Sequence, residues 1–161
     1  MSPHVRLARS EDLEPTARLA GELVRMHHAV DPDRFFLPNQ VESGYAWWFE
    51  RELARKEARL FVAEAEGRIL GYAYGTLEER DWNLLLDSHG AVHDIFVVED
   101  ARKTGVGELL VNALVSELEA MGAARILLGT MVSNTPAQRL FARCGFRPTM
   151  LEMTRSRGAA L

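Results

Sequence analysis

Between residues 102 and 107 the chain reads Arg102-Lys103-Thr104-Gly105-Val106-Gly107, the stretch whose residue types and spacing bear most directly on chemistry. Two glycines this close let a backbone approach a ligand, because no Cβ stands in the way. If a helix begins there, its first N–H groups have no partner inside the helix, and the positive end of the helix dipole lies behind them. Such a start is a cradle for a diphosphate, and Arg102 and Lys103 add positive charge. A turn that binds nothing would carry the same two glycines, so the glycines alone do not decide. Two other phosphate motifs are excluded. A dinucleotide fingerprint needs a third glycine where Leu110 stands, and a P-loop needs Lys and Ser/Thr where Glu108 and Leu109 stand.

The elements that must position this turn follow from hydrophobic period and from helix signals. A short strand is predicted over residues 5–8. A helix then opens near Ser10 and Asp12 and runs to about residue 26 on Leu13, Ala17, Ala20 and Val24. Residues 27–39 contain Asp31-Pro32-Asp33 and Pro38 and read as a loop. A second helix is predicted over 41–56, with Trp47 or Trp48 expected to fill core. Strands follow at 60–64 and 69–76, the latter with Tyr72 and Tyr74 on one face. Residues 79–90 are turn-prone, and 91–98 is the best strand. Residues 105–121 form a helix stopped by Gly122, and 126–128 a buried strand. Pro136 lies in the first turn of a helix ending at Gly145, and a last strand is expected over 146–153. The order β-α-α-β-β-β-α-β-α-β describes a mixed α/β single domain over residues 1–161.

Composition narrows the classes. Of 161 residues, 47% are hydrophobic and 26% charged, as in a globular domain, and the formal net charge of −4 argues against a nucleic-acid partner. One cysteine, Cys144, permits no intrachain disulfide and suggests a reducing, cytoplasmic compartment. No signal-peptide core or membrane-length apolar run is present in the sequence. No metal is expected.

The run Val92-His93-Asp94-Ile95-Phe96-Val97-Val98 followed by Arg102-x-x-Gly105-x-Gly107 resembles the central acetyl-CoA motif of the GNAT superfamily of N-acetyltransferases. The later run Asn134-x-x-Ala137-x-x-Leu140-Phe141-x-x-x-Gly145-Phe146 resembles that family's second cofactor motif, and Val5-Arg6 before Glu11-Asp12 is typical of its N-terminus. The resemblance covers nearly the whole chain. It implies the GNAT fold, a mixed twisted sheet splayed around the central cofactor strand and flanked by helices, and acetyl-CoA as cosubstrate. It further implies that backbone groups of Ile95, Phe96 and Val97 pair with the pantetheine arm. Amides from Lys103 through Thr104, Gly105, Val106 and Gly107 to Glu108, beside Arg102, would hold the diphosphate. Asn134 would contact the pantetheine, though a helix N-cap is its other reading. Phe141 would line the thioester end.

Acetyl transfer needs a neutral amine, a polarised carbonyl and a proton for the thiolate. Relatives often protonate the thiolate with a tyrosine where this chain has Phe141, which has no exchangeable proton. Cys144, one helical turn on, is a donor candidate, against a reading as a small buried residue. The glutamate some relatives use as base corresponds to Gly129. Others place a base on the central strand, where His93 stands, and an imidazole titrates near neutral pH. Alternation along the strand would send Asp94 to the other face, in a structural role. The resemblance therefore implies an N-acetyltransferase acting directly on an amine, a small molecule in preference to a protein, with His93 as base and with a homodimer compatible. A non-catalytic acyl-CoA-binding module, or the same fold with another short acyl-CoA, is the alternative.

Overall fold

The computed structural model describes residues 2–158. In chain order it contains β1 (His4–Leu7), α1 (Leu13–Val30), α2 (Val41–Leu53), β2 (Ala58–Ala65), β3 (Arg68–Glu78), β4 (His89–Val97), α3 (Val106–Ala120), β5 (Ile126–Leu128) and α4 (Thr135–Arg143), with one-turn 3₁₀ segments before α1 and after β4. The strands form one sheet in the order β1-β2-β3-β4-β5. The first four are antiparallel neighbours, and β5 runs parallel to β4.

Two layers of helix cover the sheet because each face presents apolar side chains at the two-residue strand period. On one face, Phe49 of α2 is fully buried and packs edge-to-face on Tyr72 and Tyr74 of β3. Such a burial stabilises the fold by roughly 1.5–3 kcal/mol. On the other face, Val106, Leu110, Leu114 and Leu118 of α3 recur at helical spacing, and each is at most 1% exposed. Arg6 of β1 ties the N-terminal elements together: its guanidinium donates to Asp12 Oδ2 at 2.7 Å and to Glu64 Oε2 of β2 at 2.6 Å. That hydrogen bond holds the Asp12 carboxyl below the usual carboxylate range. The Val5-Arg6…Asp12 pattern thus fixes where α1 starts.

Three expectations are corrected. First, the tryptophans of α2 stay outside, Trp47 at 58% and Trp48 at 41% exposed, while Phe49 enters the core. The buried stripe runs through Val41, Phe49 and Glu52; at 100° per residue Trp47 turns away from it, and Trp48 falls at its edge, 100° from Phe49. Second, α1 continues to Val30, so His27 and His28 belong to a helix and not to a loop. Third, residues 146–153 form no strand, and the chain order ends on α4. Pro148 has no N–H to give a ladder, and β5 offers an edge only three residues long. This segment runs instead towards the α1–α2 loop, where Glu152 pairs with Arg34 and the Ser156 hydroxyl donates to Asp33 Oδ2 at 3.2 Å. Among the described residues no helix is long and apolar enough to cross a membrane.

Candidate active site

Strands β4 and β5 pair only over Gly90↔Ile126, Ala91↔Leu127 and Val92↔Leu128. Beyond Val92, β4 continues to Val97 while β5 ends, so the sheet opens along that side of β4. The opening is a cleft of about 100 Å³, bounded by α1 through Leu23, Met26 and His27, by β4 from Val92 to Ile95, and by Asn134, Ala137 and Phe141 beyond β5.

Backbone alternation decides which groups of β4 face the opening. The Val98 N–H donates to Leu70 O of β3 at 2.9 Å. Two residues back, Phe96 therefore directs its own N–H and C=O at β3, opposite Tyr72. Ile95 and Val97 direct theirs into the open side, and the Val97 carbonyl accepts from Arg102 Nε at 2.9 Å. The Arg102 guanidinium lies 5.6 Å from the centre of the Phe96 ring. An extended ligand in the cleft would meet the backbone of Ile95 and Val97, not of Phe96.

At the end of β4 the chain turns through Lys103 and Gly105, both with positive φ, 63° and 93°. Alternating left-handed residues bend successive N–H groups into a concavity that suits an anion. The Thr104 hydroxyl fixes the turn by donating to Ala101 O at 2.6 Å. Gly105 is the N-cap of α3, and a Cβ added there would meet nothing within 4 Å, so its positive φ and not crowding within the protein calls for glycine. Gly107 serves a different end: a Cβ there would lie 3.0 Å from Leu140 Cδ2, so this glycine makes room for α4 to pack on α3. Arg143 of α4 comes within 3.5 Å of Glu108. The residues therefore fit a diphosphate carried by coenzyme A.

The acceptor side depends on a β-bulge. Tyr74 is opposite Asp94 and Gly75 is opposite Val92, which leaves His93 without a partner. An extra residue in one strand breaks the alternation of faces. His93 and Asp94 consequently lie on one face, the face of Tyr72, Tyr74 and Thr76. The His93 ring stacks on Tyr74 at 5.2 Å, and Tyr72 donates its hydroxyl to Asp94 Oδ2 at 3.2 Å. The expectation that Asp94 points away is thus overturned, and both side chains line the cleft. Sequence reasoning therefore missed Asp94 as a site residue.

The proton on His93 can be placed from its neighbours. The single hydroxyl proton of Thr76 goes to Glu78, so Thr76 Oγ1 accepts from His93 Nε2 at 2.7 Å. Nδ1 is then the ring nitrogen that keeps its lone pair. Burial raises the Asp94 carboxyl above the ordinary carboxylate range, against the lowering influence of Tyr72, His93 and His27. Burial, with the nearby Asp94 charge, pushes the Tyr45 hydroxyl up to about 12, and burial likewise pushes Tyr72 and Tyr74 up. These hydroxyls are donors and not acids; Tyr74 donates to buried Glu52.

The remaining expected residues divide. Phe141 is 9% exposed and lines the cleft, set edge-to-face against Phe146. Asn134 takes both of its roles' positions: it caps α4, with Oδ1 accepting from Ala137 N at 3.2 Å, and it lines the cleft. Cys144 does not reach the cleft. It lies at the C-cap of α4, where burial and Glu108 push the thiol up.

A splayed sheet, a bulged central strand and a two-glycine helix start define a coenzyme A-dependent acyltransferase. Residues 23–146 match the model of the acetyltransferase (GNAT) family, and the chain belongs to that family. It is 31% identical to an N-alpha-acetyltransferase of Sulfurisphaera tokodaii, over 77% of this chain and 79% of that one. It is 30% identical to an N-alpha-acetyltransferase of Sulfolobus acidocaldarius, over 88% and 89%. Among solved structures, an aminoglycoside N-acetyltransferase in complex with CoA has the same fold, with a TM-score of 0.76 at 19% identity over 98% of this chain and 96% of that one. The protein is an acetyl-CoA-dependent N-acetyltransferase.

Proposed function

We propose that the protein transfers the acetyl group directly to the primary amine of a small molecule, in a ternary complex, with His93 as base. One observation carries this reading: the β4 bulge sets the His93 imidazole and the Asp94 carboxylate together at a cleft that ends on Phe141. Acetyl-CoA supplies an acetyl group activated as a thioester. The amides of residues 103–108 and the charges of Arg102 and Lys103 hold its diphosphate. The outward N–H and C=O groups of Ile95 and Val97 take the pantetheine as an added strand. Asn134 Nδ2 reaches the same arm while Oδ1 stays on the helix cap. Phe141 shapes the thioester end.

At neutral pH a simple amine, with pKa about 10, is almost wholly protonated. His93 Nδ1 accepts that proton, directly or through one water, and Thr76 with Glu78 holds the ring in the required tautomer. The neutral amine attacks the carbonyl carbon, the C–S bond breaks, the thiolate takes up a proton from the imidazolium or from water, and the new amide nitrogen gives up its surplus proton to the freed imidazole or to water. No tyrosine stands at Phe141 to supply it. The acceptor must share this cleft with the thioester end, which supports a small acceptor. The identity to archaeal N-alpha-acetyltransferases supports a second reading, in which a peptide presents only its terminal residue to the same cleft. We also read the enzyme as cytoplasmic and compatible with a homodimer, the former supported by its single cysteine.

Thiol release from acetyl-CoA, measured against a panel of small amines and short peptides, tests the proposal. The expected result is release that depends on the amine, with one N-acetylated product per thiol and small amines turned over fastest. Release with peptides alone would move the assignment to the second reading, and tight binding of acetyl-CoA without release would overturn both.

A further inference from the structure

We infer that Asp94 holds the acceptor's ammonium group and so selects amines that carry no carboxylate beside them; this rests on the amine-acceptor reading above. The placement of charge in the cleft carries the inference. Among the described residues lining it, Asp94 is the one acidic side chain, and no lysine or arginine lines it. Tyr72 is the hydrogen-bond partner found for the Asp94 carboxylate, and it engages Oδ2. Oδ1 has no such partner among the described residues, and it is not sealed from solvent. The carboxylate thus keeps one oxygen for a ligand, next to the imidazole that would take the proton.

An ammonium group satisfies that oxygen by a charge-assisted hydrogen bond. A free α-amino acid would bring its own carboxylate within about 5 Å of Asp94, where like charges repel. Arg34 lies outside the cleft lining. Its guanidinium sits 4.8 Å from the centre of the Phe35 ring, and that ring in turn packs at 4.9 Å on His27 of the cleft wall. Arg34 is also already paired with Glu152. The cleft therefore fits a simple alkyl amine, or an α-amine whose carboxyl is an amide as at a peptide N-terminus. It does not fit a free amino acid.

The test compares leucine amide and leucinol with leucine. Binding to the enzyme–CoA complex is followed by calorimetry, and turnover with acetyl-CoA by thiol release, for wild type and for the isosteric Asp94→Asn. The two uncharged-neighbour amines should bind roughly 10-fold to 10²-fold more tightly than leucine, the size expected for one close like-charge contact in a partly solvated site. In Asp94→Asn the preference should fall to near unity as amine binding weakens. The ratio between ligands is the readout, because their intrinsic basicities differ and the substitution leaves that difference unchanged. Leucine binding as tightly as its amide in wild type overturns the inference, as does an unchanged ratio in a folded Asp94→Asn protein. If the preference appears in binding but no amine is acetylated, the charge inference stands and the transferase reading falls. If leucine is turned over as well as its amide, the transferase reading stands and the inference falls. Should Asp94→Asn not fold, the wild-type comparison alone decides.

Discussion

Replacing His93 with glutamine should lower kcat/KM for the amine acceptor by about 10²-fold, within the usual range for one general base. The choice of glutamine matters. Its side-chain amide can still donate to Thr76 Oγ1, the contact that His93 Nε2 makes at 2.7 Å, so the bulge keeps its anchor. What is removed is the lone pair on Nδ1. Affinity for acetyl-CoA should change little, because the cradle is built from backbone amides at the far end of β4. The pH profile gives the second readout. Wild-type and variant pH profiles of kcat/KM should differ, the variant lacking the dependence that a general base contributes. A lower limb should persist from Asp94, whose carboxyl is raised by burial and becomes the anion that holds ammonium only above its own titration. Full activity and an unchanged pH profile in His93→Gln would assign proton removal to water or to the free-amine fraction of the substrate.

The second large effect is expected at Gly105. Its φ of 93° lies where a β-branched residue is strained, at a cost on the order of 1–3 kcal/mol. The added side chain would also stand at the turn whose amides are proposed to hold the diphosphate, where no protein atom lies within 4 Å of its Cβ. Gly105→Val should weaken acetyl-CoA binding by about 10²-fold or more, equivalent to losing two charge-assisted contacts to the diphosphate. The far-UV circular dichroism should stay that of the folded enzyme, since Val106 and the rest of the buried face of α3 are untouched. Unchanged affinity in a folded Gly105→Val protein would remove the diphosphate from this turn. A substitution at Gly107 gives a less direct answer, because there the new Cβ meets Leu140 and loosens α4 as well.

Much of this architecture is legible in the residues. The strong strand, the glycines and the long apolar period place β4, the turn and α3 within one or two residues of where they lie, and Pro136 and Gly145 bound α4. The family resemblance rests on those same segments. What was hidden depends on pairing between distant strands. The bulge that turns Asp94 into the cleft follows from the offset between Tyr74↔Asp94 and Gly75↔Val92. Within the β4 run itself, an inserted residue looks like any other strand residue. The faint signal is Gly75, since a glycine inside a strand pattern often marks a bulge. Likewise, a last strand is expected over 146–153, but a strand needs an edge to pair with, and β5 ends after Leu128. The α2 tryptophans mislead for a related reason. Size favours them for the core, yet the register of the helix on the sheet selects Phe49.

The proposed transfer is a direct attack by the amine while acetyl-CoA is still bound, with no acetylated enzyme. Its geometry argues the same way: Cys144, the one thiol in the chain, lies at the C-cap of α4 and does not line the cleft. Initial rates measured over a grid of acetyl-CoA and amine concentrations test the claim most directly. Double-reciprocal lines that intersect, as required when both substrates must be present together, are the predicted result. Parallel lines would mean that the acetyl group passes through an enzyme nucleophile before the amine arrives, and would contradict it.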